Sequence, residues 1–473
     1  MSATLSVIPR SPVSIPARSD RLAALPPFLF DEIDRKKRER IAAGADVINL
    51  GVGDPDQPTP DFIVEAMNKA MRDLVNQQYP AVGGGLKCFR ESAARFMHAR
   101  FGVTVDPMKH IVCCIGSKDG IAHLPWAVTN PGDTVLLPDP AYPVYEIGAA
   151  LAHCKVHKMP VSHESGWRPV FHEIPAGAAA NARLLWLNFP SNPTAAVADL
   201  AFYERAIEWT NSTWHGLPAH VSSASPAAWH GLTAHVSGAS PEPNAATPTE
   251  EHGLVTPCDK PNQPASPANG RSHRGCILAS DLAYSELYFE HKPISIWQAA
   301  NSDIGSTPAI EFHSLSKTYN MTGWRIGFAV GHADIIAALA GIKANVDSGV
   351  FNAIQVAGAA ALDNFQHAAV ERMRRLYRER RDVIVPGLRA AGCEVTPPEA
   401  GFFVWARTPK NPAGGHQDSM AFAARLLEQA DTVVVPGSGF SPRAKEWFRV
   451  ALTVDADRMA QAAKRIAGFP TLH

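Results

Sequence analysis

The chain has 473 residues, which is too long for one small domain at ~150 residues per domain. Hydrophobic residues make up 46% and charged residues 19%, as in a soluble globular chain and unlike a disordered one. The 44 Lys and Arg residues against 45 Asp and Glu residues give a net charge of −1. This balance argues against nucleic-acid or acidic-membrane partners, which favour a basic protein. No apolar run approaches the ~18 residues of a membrane helix.

The N-terminal residues and the cysteines together predict a cytoplasmic location. Residues 1–20 lack the roughly 7–15-residue apolar core of a signal peptide. The seven cysteines are scattered along the chain without a C-x-x-C spacing, which supports neither a disulfide framework nor a thiolate metal site. We therefore expect a cytoplasmic protein without a metal centre.

Short apolar runs alternate with helical patterns from the N-terminus to about Asp334. A helix is predicted over 31–44, and further helices begin at Ser117 and at about Asp199. The predicted strands cover 110–116, 133–138, 154–160, 183–190, 276–281, 309–317 and 327–331. Apolar strands that alternate with helices indicate an α/β fold, in which a mostly parallel sheet is covered on both faces.

The C-terminal part of the sequence has a different pattern. Long helical stretches, notably over 363–390, precede the short apolar runs CEVTP, FFVWAR and TVVVPG. This order predicts a smaller α+β domain, which the helix over 31–44 joins. We expect an N-terminal arm and helix at 1–50, a large domain at 51–333 and a small domain at 334–473.

Residues 211–273 stand apart because they are rich in Pro, Ser, Ala and His and have little aliphatic periodicity. Within them, WHGLPAHVSSASP recurs as WHGLTAHVSGASP fifteen residues later. Two copies cannot stack into a core, and no Cys or carboxylate stands at metal-ligand spacing from the histidines. We expect a disordered surface insertion between a helix and the next strand, where extra length costs little.

The run SLSKTYNMTGWRIGFAVG, residues 314–331, carries the clearest chemical signal. Lys317 directly follows a predicted strand, where desolvation lowers the pKa of an amine and frees it for Schiff-base chemistry. Ser314, Ser316 and Arg325 supply hydroxyls and a two-pronged cation for a phosphate. A lone lysine in such a run would most often be solvent-exposed, so these three neighbours carry the argument.

Four other segments offer residues suited to the same ligand. Ser117 and Lys118 stand between a strand and a helix, where free N–H groups bind anions. Tyr142 lies in a Pro-rich loop and suits stacking on a flat ring, although packing explains such an aromatic residue equally well. Asn192 follows a strand at the edge where α/β sheets bind ligands, but Asn-Pro turns are common. Asp281 ends an apolar strand, and a buried carboxylate there needs a cation such as a protonated pyridine nitrogen.

In order and spacing, these motifs resemble the class I/II aminotransferases, which are fold type I enzymes that depend on pyridoxal 5′-phosphate. The resemblance runs from about Leu25 to Ile466 and leaves out the insertion. It implies a large domain with a mostly parallel seven-stranded sheet and a smaller α+β domain. It also implies amino-acid and keto-acid substrates, transfer of an amino group between them, and a homodimer with shared active sites.

The resemblance also implies roles for individual residues. Lys317 would bind the cofactor covalently and move the substrate proton, Asp281 would hold the pyridinium proton, and Tyr142 would stack on the ring. The other implied roles are contacts to the ring hydroxyl by Tyr284 and Asn192, to the phosphate by Ser117, Lys118, Ser314, Ser316 and Arg325, to the neighbouring subunit's phosphate by Tyr79, and to the substrate by Gly53 and, at its α-carboxylate, Arg449. Asn352 and Lys118 are candidates for binding the distal end of the substrate.

Within the superfamily, segments 25–37, 51–60, 116–125 and 311–331 are similar to the LL-diaminopimelate aminotransferase family. This likeness implies glutamate as amino donor, tetrahydrodipicolinate as acceptor and LL-diaminopimelate as product. Phe28 departs from the pattern, because family members often have a substrate-contacting tyrosine there. The alternatives are an aminotransferase for alanine, aspartate, aromatic or a broad range of amino acids, a lyase or decarboxylase on the same scaffold, and a non-enzymatic cofactor-binding regulator.

Overall fold

The computed structural model describes Ser19, Leu22 and residues 31–80, 84–213 and 275–469. Phe28 and nearly all of the predicted insertion lie outside these residues. The helix predicted from Asp199 extends to Thr213, so Asn211, Ser212 and Thr213 are helical instead of belonging to the insertion. Within the described residues, no helix is long and apolar enough to cross a membrane.

Buried apolar runs form most of the strands, as their composition predicts, whereas β4 and β9 are largely exposed or half-buried. The strands are β1 Ile48–Asn49, β2 Ile111–Cys114, β3 Thr134–Asp139, β4 Lys155–Pro160, β5 Ala182–Asn188, β6 Ile277–Asp281, β7 Ala309–Ser314, β8 Gly327–Gly331, β9 Glu394–Val395, β10 Phe403–Arg407, β11 Thr432–Val433, β12 Val435–Pro436 and β13 Trp447–Ala451. Seven of them form one sheet in the order β2-β8-β7-β6-β5-β3-β4. Only β8 runs antiparallel to its neighbours there. The prediction of a mostly parallel seven-stranded sheet is confirmed.

The helices alternate with these strands along the chain. They are α1 Asp31–Ala42, α2 Asp61–Ala70, α3 Lys87–Phe101, α4 Pro107–His110, α5 Ser117–Val128, α6 Val144–Leu151, α7 Ala176–Ala180, α8 Leu200–Thr213, α9 Leu315–Thr318, α10 Ala333–Val346, α11 Asn352–Asp363, α12 Ala368–Ala390, α13 Ser419–Ala430 and α14 Ala456–Ala467. The pattern predicted over 363–390 therefore contains the end of α11 and the whole of α12. The helical conformation is interrupted between α11 and α12. The His367 side chain accepts a hydrogen bond from the Ala369 N–H at the start of α12.

Two hydrophobic cores cover the two faces of the large sheet. On one face, residues of α2, α3, α8 and α11 pack on Leu185, Leu187 and Phe328. On the other face, α5, α6 and α10 pack on Trp186 and Phe312. Because successive side chains of a strand point to opposite faces, the apolar run of β5 supplies both cores. The edge strand β4 is partly exposed along its length, whereas the central strands are accessible mainly at their ends.

A second sheet, in the order β12-β13-β10-β9, is antiparallel and belongs to the C-terminal part of the chain. Strand β1 pairs in parallel with β11, with Ile48 opposite Thr432. Ile33 of α1 and Leu50 share one core with residues of α12, α13 and α14. The N-terminal segment thus packs with the C-terminal elements and brings the residues after Leu50 between the two sheets.

Candidate active site

A cavity of about 500 Å³ lies at the carboxyl ends of the parallel strands, where α/β sheets bind ligands. Asp281 ends β6, Ser314 ends β7, and Asn188 ends β5. The predicted site residues that line the cavity are Gly53, Ser117, Lys118, Tyr142, Asn192, Asp281, Tyr284, Ser314, Ser316, Lys317, Arg325 and Arg449. The fold therefore gathers residues from eight separate segments of the chain at one place.

Lys317 lies in the single turn of α9 that follows β7, and its Nζ donates a hydrogen bond of 3.0 Å to the Gly53 carbonyl. Burial lowers the pKa of the Lys317 amine to about 8. Asp54 opposes this shift, whereas Arg325 and Arg449 add to it. A larger fraction of this amine is therefore neutral and nucleophilic near neutral pH than in a solvated lysine.

Asp281 is a buried carboxylate at the floor of the cavity. Its Oδ2 accepts a hydrogen bond of 2.7 Å from the Tyr145 hydroxyl. Its Oδ1 is buried and has no hydrogen-bond partner among the described residues. Burial raises the pKa of Asp281 to about 6, although the Tyr145 hydroxyl, the Ala283 backbone N–H and His313 lower it. A buried carboxylate oxygen without a partner is costly, so the arrangement suits a ligand that brings a donor or a positive charge.

The opposite end of the cavity is built for an anion. Helix α5 begins there at Ser117, and no side chain caps its first turn. Gly116 has a φ of +72°, and a Cβ at this position would lie 2.3 Å from Nη2 of Arg325. The guanidinium of Arg325 is held by the carbonyls of Thr322 and Ile115, at 2.9 and 3.4 Å. Free N–H groups, a guanidinium and nearby hydroxyls together form a site suited to a phosphate.

Two serines and a lysine complete this anion site. The Ser314 hydroxyl accepts a 3.2 Å hydrogen bond from the Ser316 N–H and so caps α9. Ser316 is buried, whereas Lys118 is exposed at the rim of the cavity. The serine hydroxyls and the Lys118 ammonium provide further donors for the same anion.

Arg449 comes from β13 and is fully enclosed by its neighbours. Its Nη1 donates to Oδ1 of Asn192 at 2.7 Å, and its Nη2 donates to the Gly51 carbonyl at 2.9 Å. The centroids of the Phe403 and Phe440 rings lie 4.2 and 5.1 Å from its guanidinium carbon. Burial lowers the pKa of Arg449 to about 10, so it stays charged at neutral pH. A fixed, desolvated guanidinium is well suited to bind a carboxylate.

Gly53 is required by the close approach of the backbone to Phe403. A Cβ on Gly53 would lie 2.6 Å from Cζ of that ring. The same glycine presents its carbonyl to Lys317. The absent side chain thus lets the backbone enter the cavity between the lysine and the aromatic residues.

Tyr142 and Tyr284 flank the carboxylate of Asp281. Burial and the charge of Asp281 raise the pKa of Tyr142 to about 12, and the same causes raise the pKa of Tyr284. Both phenols are therefore neutral and can donate hydrogen bonds at physiological pH.

Two residues from the sequence-based prediction do not line the cavity of this chain. Tyr79 is 90% exposed at the surface. Asn352 is buried, and its Nδ2 lies 3.4 and 3.3 Å from the carbonyls of Val75 and Gln78. Within its own chain Asn352 therefore holds the segment before Tyr79 in place and does not reach a ligand in this cavity.

The structure adds residues that the sequence motifs did not single out. Tyr145 stands three residues after Tyr142, in the turn that leads into α6, where its N–H donates to the Tyr142 carbonyl at 3.3 Å. The short spacing of the two tyrosines in YPVY is the signal that could have revealed it. Asn188 ends β5, and its Nδ2 donates 2.8 Å to the Asp281 carbonyl. Phe403 reaches Arg449 from the neighbouring strand β10 and Phe440 from a turn nine residues earlier in the chain, and no local pattern marks either of them.

One group of potential metal ligands lies beside the site but already contains a cation. Asp119, His123 and Asp347 bring their ligand atoms close together. The buried Lys343 donates to both carboxylates, at 2.8 Å to Asp347. This ammonium ion offsets one of the two negative charges and links α5 to α10.

Comparison with known proteins agrees with the fold and the site. The aminotransferase class I and II family matches residues 45–218 and 270–466, and the chain belongs to this family. It is 40% identical to the LL-diaminopimelate aminotransferase of Aquifex aeolicus, over 95% of this chain and 98% of that protein. The corresponding protein of Moorella thermoacetica is 36% identical over 94% and 96% of the two chains.

Solved structures show the same architecture. Substrate-bound BacF from Bacillus subtilis superposes with a TM-score of 0.77 at 28% identity, covering 97% of this chain and 100% of that one. A probable N-succinyldiaminopimelate aminotransferase of Thermus thermophilus gives 0.73 at 28% identity over 93% and 99%. The predictions of the fold class and of an aminotransferase are confirmed.

Proposed function

We propose that the chain is a pyridoxal-phosphate-dependent aminotransferase that interconverts LL-diaminopimelate and 2-oxoglutarate with tetrahydrodipicolinate and glutamate. The observation that carries the reaction class is the placement of Lys317, Asp281 and an anion site in one cavity. The substrate assignment rests on relatives of 36–40% identity over nearly the whole chain.

The residues present fit this cofactor. The buried, unpartnered Oδ1 of Asp281 suits a protonated ring nitrogen. The uncapped turn at Ser117 and the Arg325 guanidinium under Gly116 suit the phosphate. The depressed pKa of Lys317 suits covalent attachment. When bound, pyridoxal phosphate supplies an aldehyde for that attachment and a ring that accepts electrons from the substrate.

The side chains that line the cavity have different roles in the proposed reaction. Asp281 keeps the proton on the ring nitrogen, because its negative charge lies in a buried, low-dielectric place. Arg449 and Asn192 bind the α-carboxylate of the amino acid and fix its orientation. With the cofactor bound, the Lys317 amine would take the proton from the substrate α-carbon and deliver it to the cofactor carbon that had carried the aldehyde, as amino-group transfer requires. Phe403 and Phe440 shield Arg449 from water and strengthen its hold on the carboxylate.

We also propose a cytoplasmic homodimer whose subunits share their active sites. Tyr79 is 90% exposed, and Leu74 and Val75 in the same segment are 70% and 58% exposed. Asn352 ties this segment to the start of α11, where Phe351 is also exposed. A group of exposed apolar side chains favours a protein partner, and a second copy would bring Tyr79 to the neighbouring phosphate.

The substrate proposal is tested by assaying amino donors with 2-oxoglutarate. LL-diaminopimelate should show the highest kcat/KM, and the meso isomer should be used at least ~10-fold less well. The physical reason is that inverting the distal centre leaves buried polar groups without partners, at ~1–3 kcal/mol each. If alanine or aspartate is used better than the LL isomer, the substrate assignment is wrong and a broader aminotransferase replaces it.

A further inference from the structure

Tyr145 is a buried neighbour of the Asp281 carboxylate. It lies in the first turn of α6 and is 1% exposed. Its hydroxyl donates to Oδ2 of Asp281 at 2.7 Å. The second carboxylate oxygen, Oδ1, has no partner among the described residues. Tyr145 itself does not line the cavity, so it reaches a ligand only through Asp281.

We propose that Tyr145 is a positioning residue that fixes the Asp281 carboxylate and reserves Oδ1 for the pyridine nitrogen of the cofactor. By donating to Oδ2, it also keeps the carboxylate ionised and so keeps the ring protonated. This inference rests on the proposed function and names a residue that acts through Asp281 in the same reaction.

Packing holds the Tyr145 ring in one place. The ring is stacked on Trp186, with centroids 4.8 Å apart and planes inclined by 18°. Its other contact is with Tyr142, whose ring lies edge-on at 5.8 Å and 86°. A buried ring held between two aromatic residues has no room for another rotamer. The hydroxyl is therefore fixed toward Asp281 before any ligand binds.

The electrostatic surroundings determine how the Tyr145 hydroxyl affects the protonation of Asp281. Burial and Asp281 raise the pKa of Tyr145, so the phenol stays protonated and remains a donor. The titratable groups that face Asp281 are Tyr142, Tyr145, Tyr284 and His313. His313 is itself bound to Glu311, at 3.0 Å. Removing the Tyr145 hydroxyl deletes a donor that favours the carboxylate anion, so the proton shared with the ring moves toward Asp281.

The test compares Tyr145→Phe with a matched control, Tyr377→Phe. Tyr377 is also fully buried, but it lies in the core that α12, α13 and α14 share with Ile33 and Leu50. Its hydroxyl has no partner among the described residues. Each protein is loaded with pyridoxal phosphate that carries ¹⁵N in the ring, and the ¹⁵N chemical shift reports ring protonation. Tyr145→Phe should move the shift toward that of an unprotonated ring and lower kcat ~10-fold or more, with little change in KM. Tyr377→Phe should match the wild type.

A ¹⁵N shift and a kcat in Tyr145→Phe equal to those of the wild type overturn the inference. A wild-type protein that does not bind pyridoxal phosphate overturns the proposed function instead, so the two failures are distinguishable.

A second measurement covers the case in which Tyr145→Phe does not fold. Replacing Tyr145 by 3-fluorotyrosine keeps the shape and makes the hydroxyl a stronger donor. The ¹³C carboxyl signal of Asp281, assigned with Asp281→Asn, is then titrated in the cofactor-free protein. Its midpoint should fall below the wild-type value, and an unchanged midpoint contradicts the inference.

Discussion

Lys317 differs from a surface lysine in its burial and in its hydrogen bond to the Gly53 carbonyl. Burial lowers its pKa to about 8, so below that pH the amine is protonated and above it the amine is a nucleophile. The rate of covalent attachment of pyridoxal phosphate to the cofactor-free protein should therefore rise with pH and level off above about 8. Stopped-flow absorbance over a range of pH measures this rate.

The control is Lys317→Ala, which should bind the cofactor through Asp281, Arg325 and the serines but form no bond that borohydride fixes. It should also lose turnover. A rate that keeps rising to the pH of an ordinary lysine, ~10.4, would show that Lys317 is not desolvated in solution. Ordinary turnover in Lys317→Ala would remove the proposed mechanism.

Among the residues that sequence reasoning identified, one group of four lies close together along the chain. Ser314, Ser316, Lys317 and Arg325 lie in one run, so a strand followed by a turn is enough to bring them together. Long-range pairs were harder to foresee. Tyr145 is 136 residues from Asp281, and Arg449 is 257 residues from Asn192. Their pairing depends on sheet order and on the second sheet, which local patterns do not contain.

Among the elements, the seven strands of the large sheet were predicted closely, because most of them are short apolar runs with polar ends. Strands β1 and β13 were not predicted. Helix ends were less certain. The amphipathic pattern over 363–390 runs across the break between α11 and α12, since four residues at 364–367 are too few to interrupt the periodicity visibly. The domain limits at residues 50 and 333 stay predictions.

The segment 50–56 is held in place by hydrogen bonds at both of its ends. Its carbonyls at Leu50 and Gly51 accept from Ala451 and Arg449, at 2.7 and 2.9 Å. Its far end is held by Asp56, whose two oxygens each accept 2.7 Å hydrogen bonds from Arg380. Arg380 is 2% exposed. The Asp56 side chain is 21% exposed, so the pair is buried on its arginine side only. Because the guanidinium is enclosed and its contact with the carboxylate is two-pronged, we expect it to hold the segment more firmly than a fully exposed pair would.

Arg380→Met should therefore lower the free energy of unfolding by ~2 kcal/mol, because it removes the two hydrogen bonds to the Asp56 carboxylate and the hydrogen bond to the Leu452 carbonyl. It should also raise KM. Once Asp56 is released, the segment that contains Gly51 is held less firmly, so the Gly51 carbonyl no longer fixes the position of the Arg449 side chain. The matched control is Arg95→Met. Arg95 makes the same two-pronged contact with Asp363 but is 59% exposed, so its loss should cost ~1 kcal/mol or less. Urea unfolding of both variants measures the difference, and equal losses would contradict the prediction.

At the scale of the whole molecule, residues 214–274 should be dispensable for catalysis. The described chain stops at Thr213 and resumes at Gly275, and the Cys276 N–H donates to the Thr213 hydroxyl at 3.2 Å. The two flanking ends are therefore adjacent and can be joined by a short linker. Helix α8 buries Phe202 and Ile207, and β6 is buried along its length, so both flanks are held by their own packing.

Replacing 214–274 by a short Gly-Ser linker should leave kcat within about twofold of the full chain, because no described site residue lies in the deleted range. Activity and sedimentation velocity measure the outcome. Loss of turnover or of the dimer would show that the deleted segment packs against a functional surface.

Shared active sites can be tested by subunit complementation, because Tyr79 and Lys317 would then serve opposite sites of one dimer. Tyr79→Ala should weaken cofactor binding by ~10-fold, since it removes one hydrogen bond to the phosphate, and Lys317→Ala should be inactive. The two variants are co-expressed with different tags, and the mixed dimer is purified. One of its two sites combines the intact Lys317 of one chain with the intact Tyr79 of the other. It should therefore show about half the activity of the wild-type dimer at limiting cofactor, as two-fold symmetry requires. If Tyr79 acts within its own chain, the mixed dimer carries no intact site and its activity stays below that of the Tyr79→Ala homodimer.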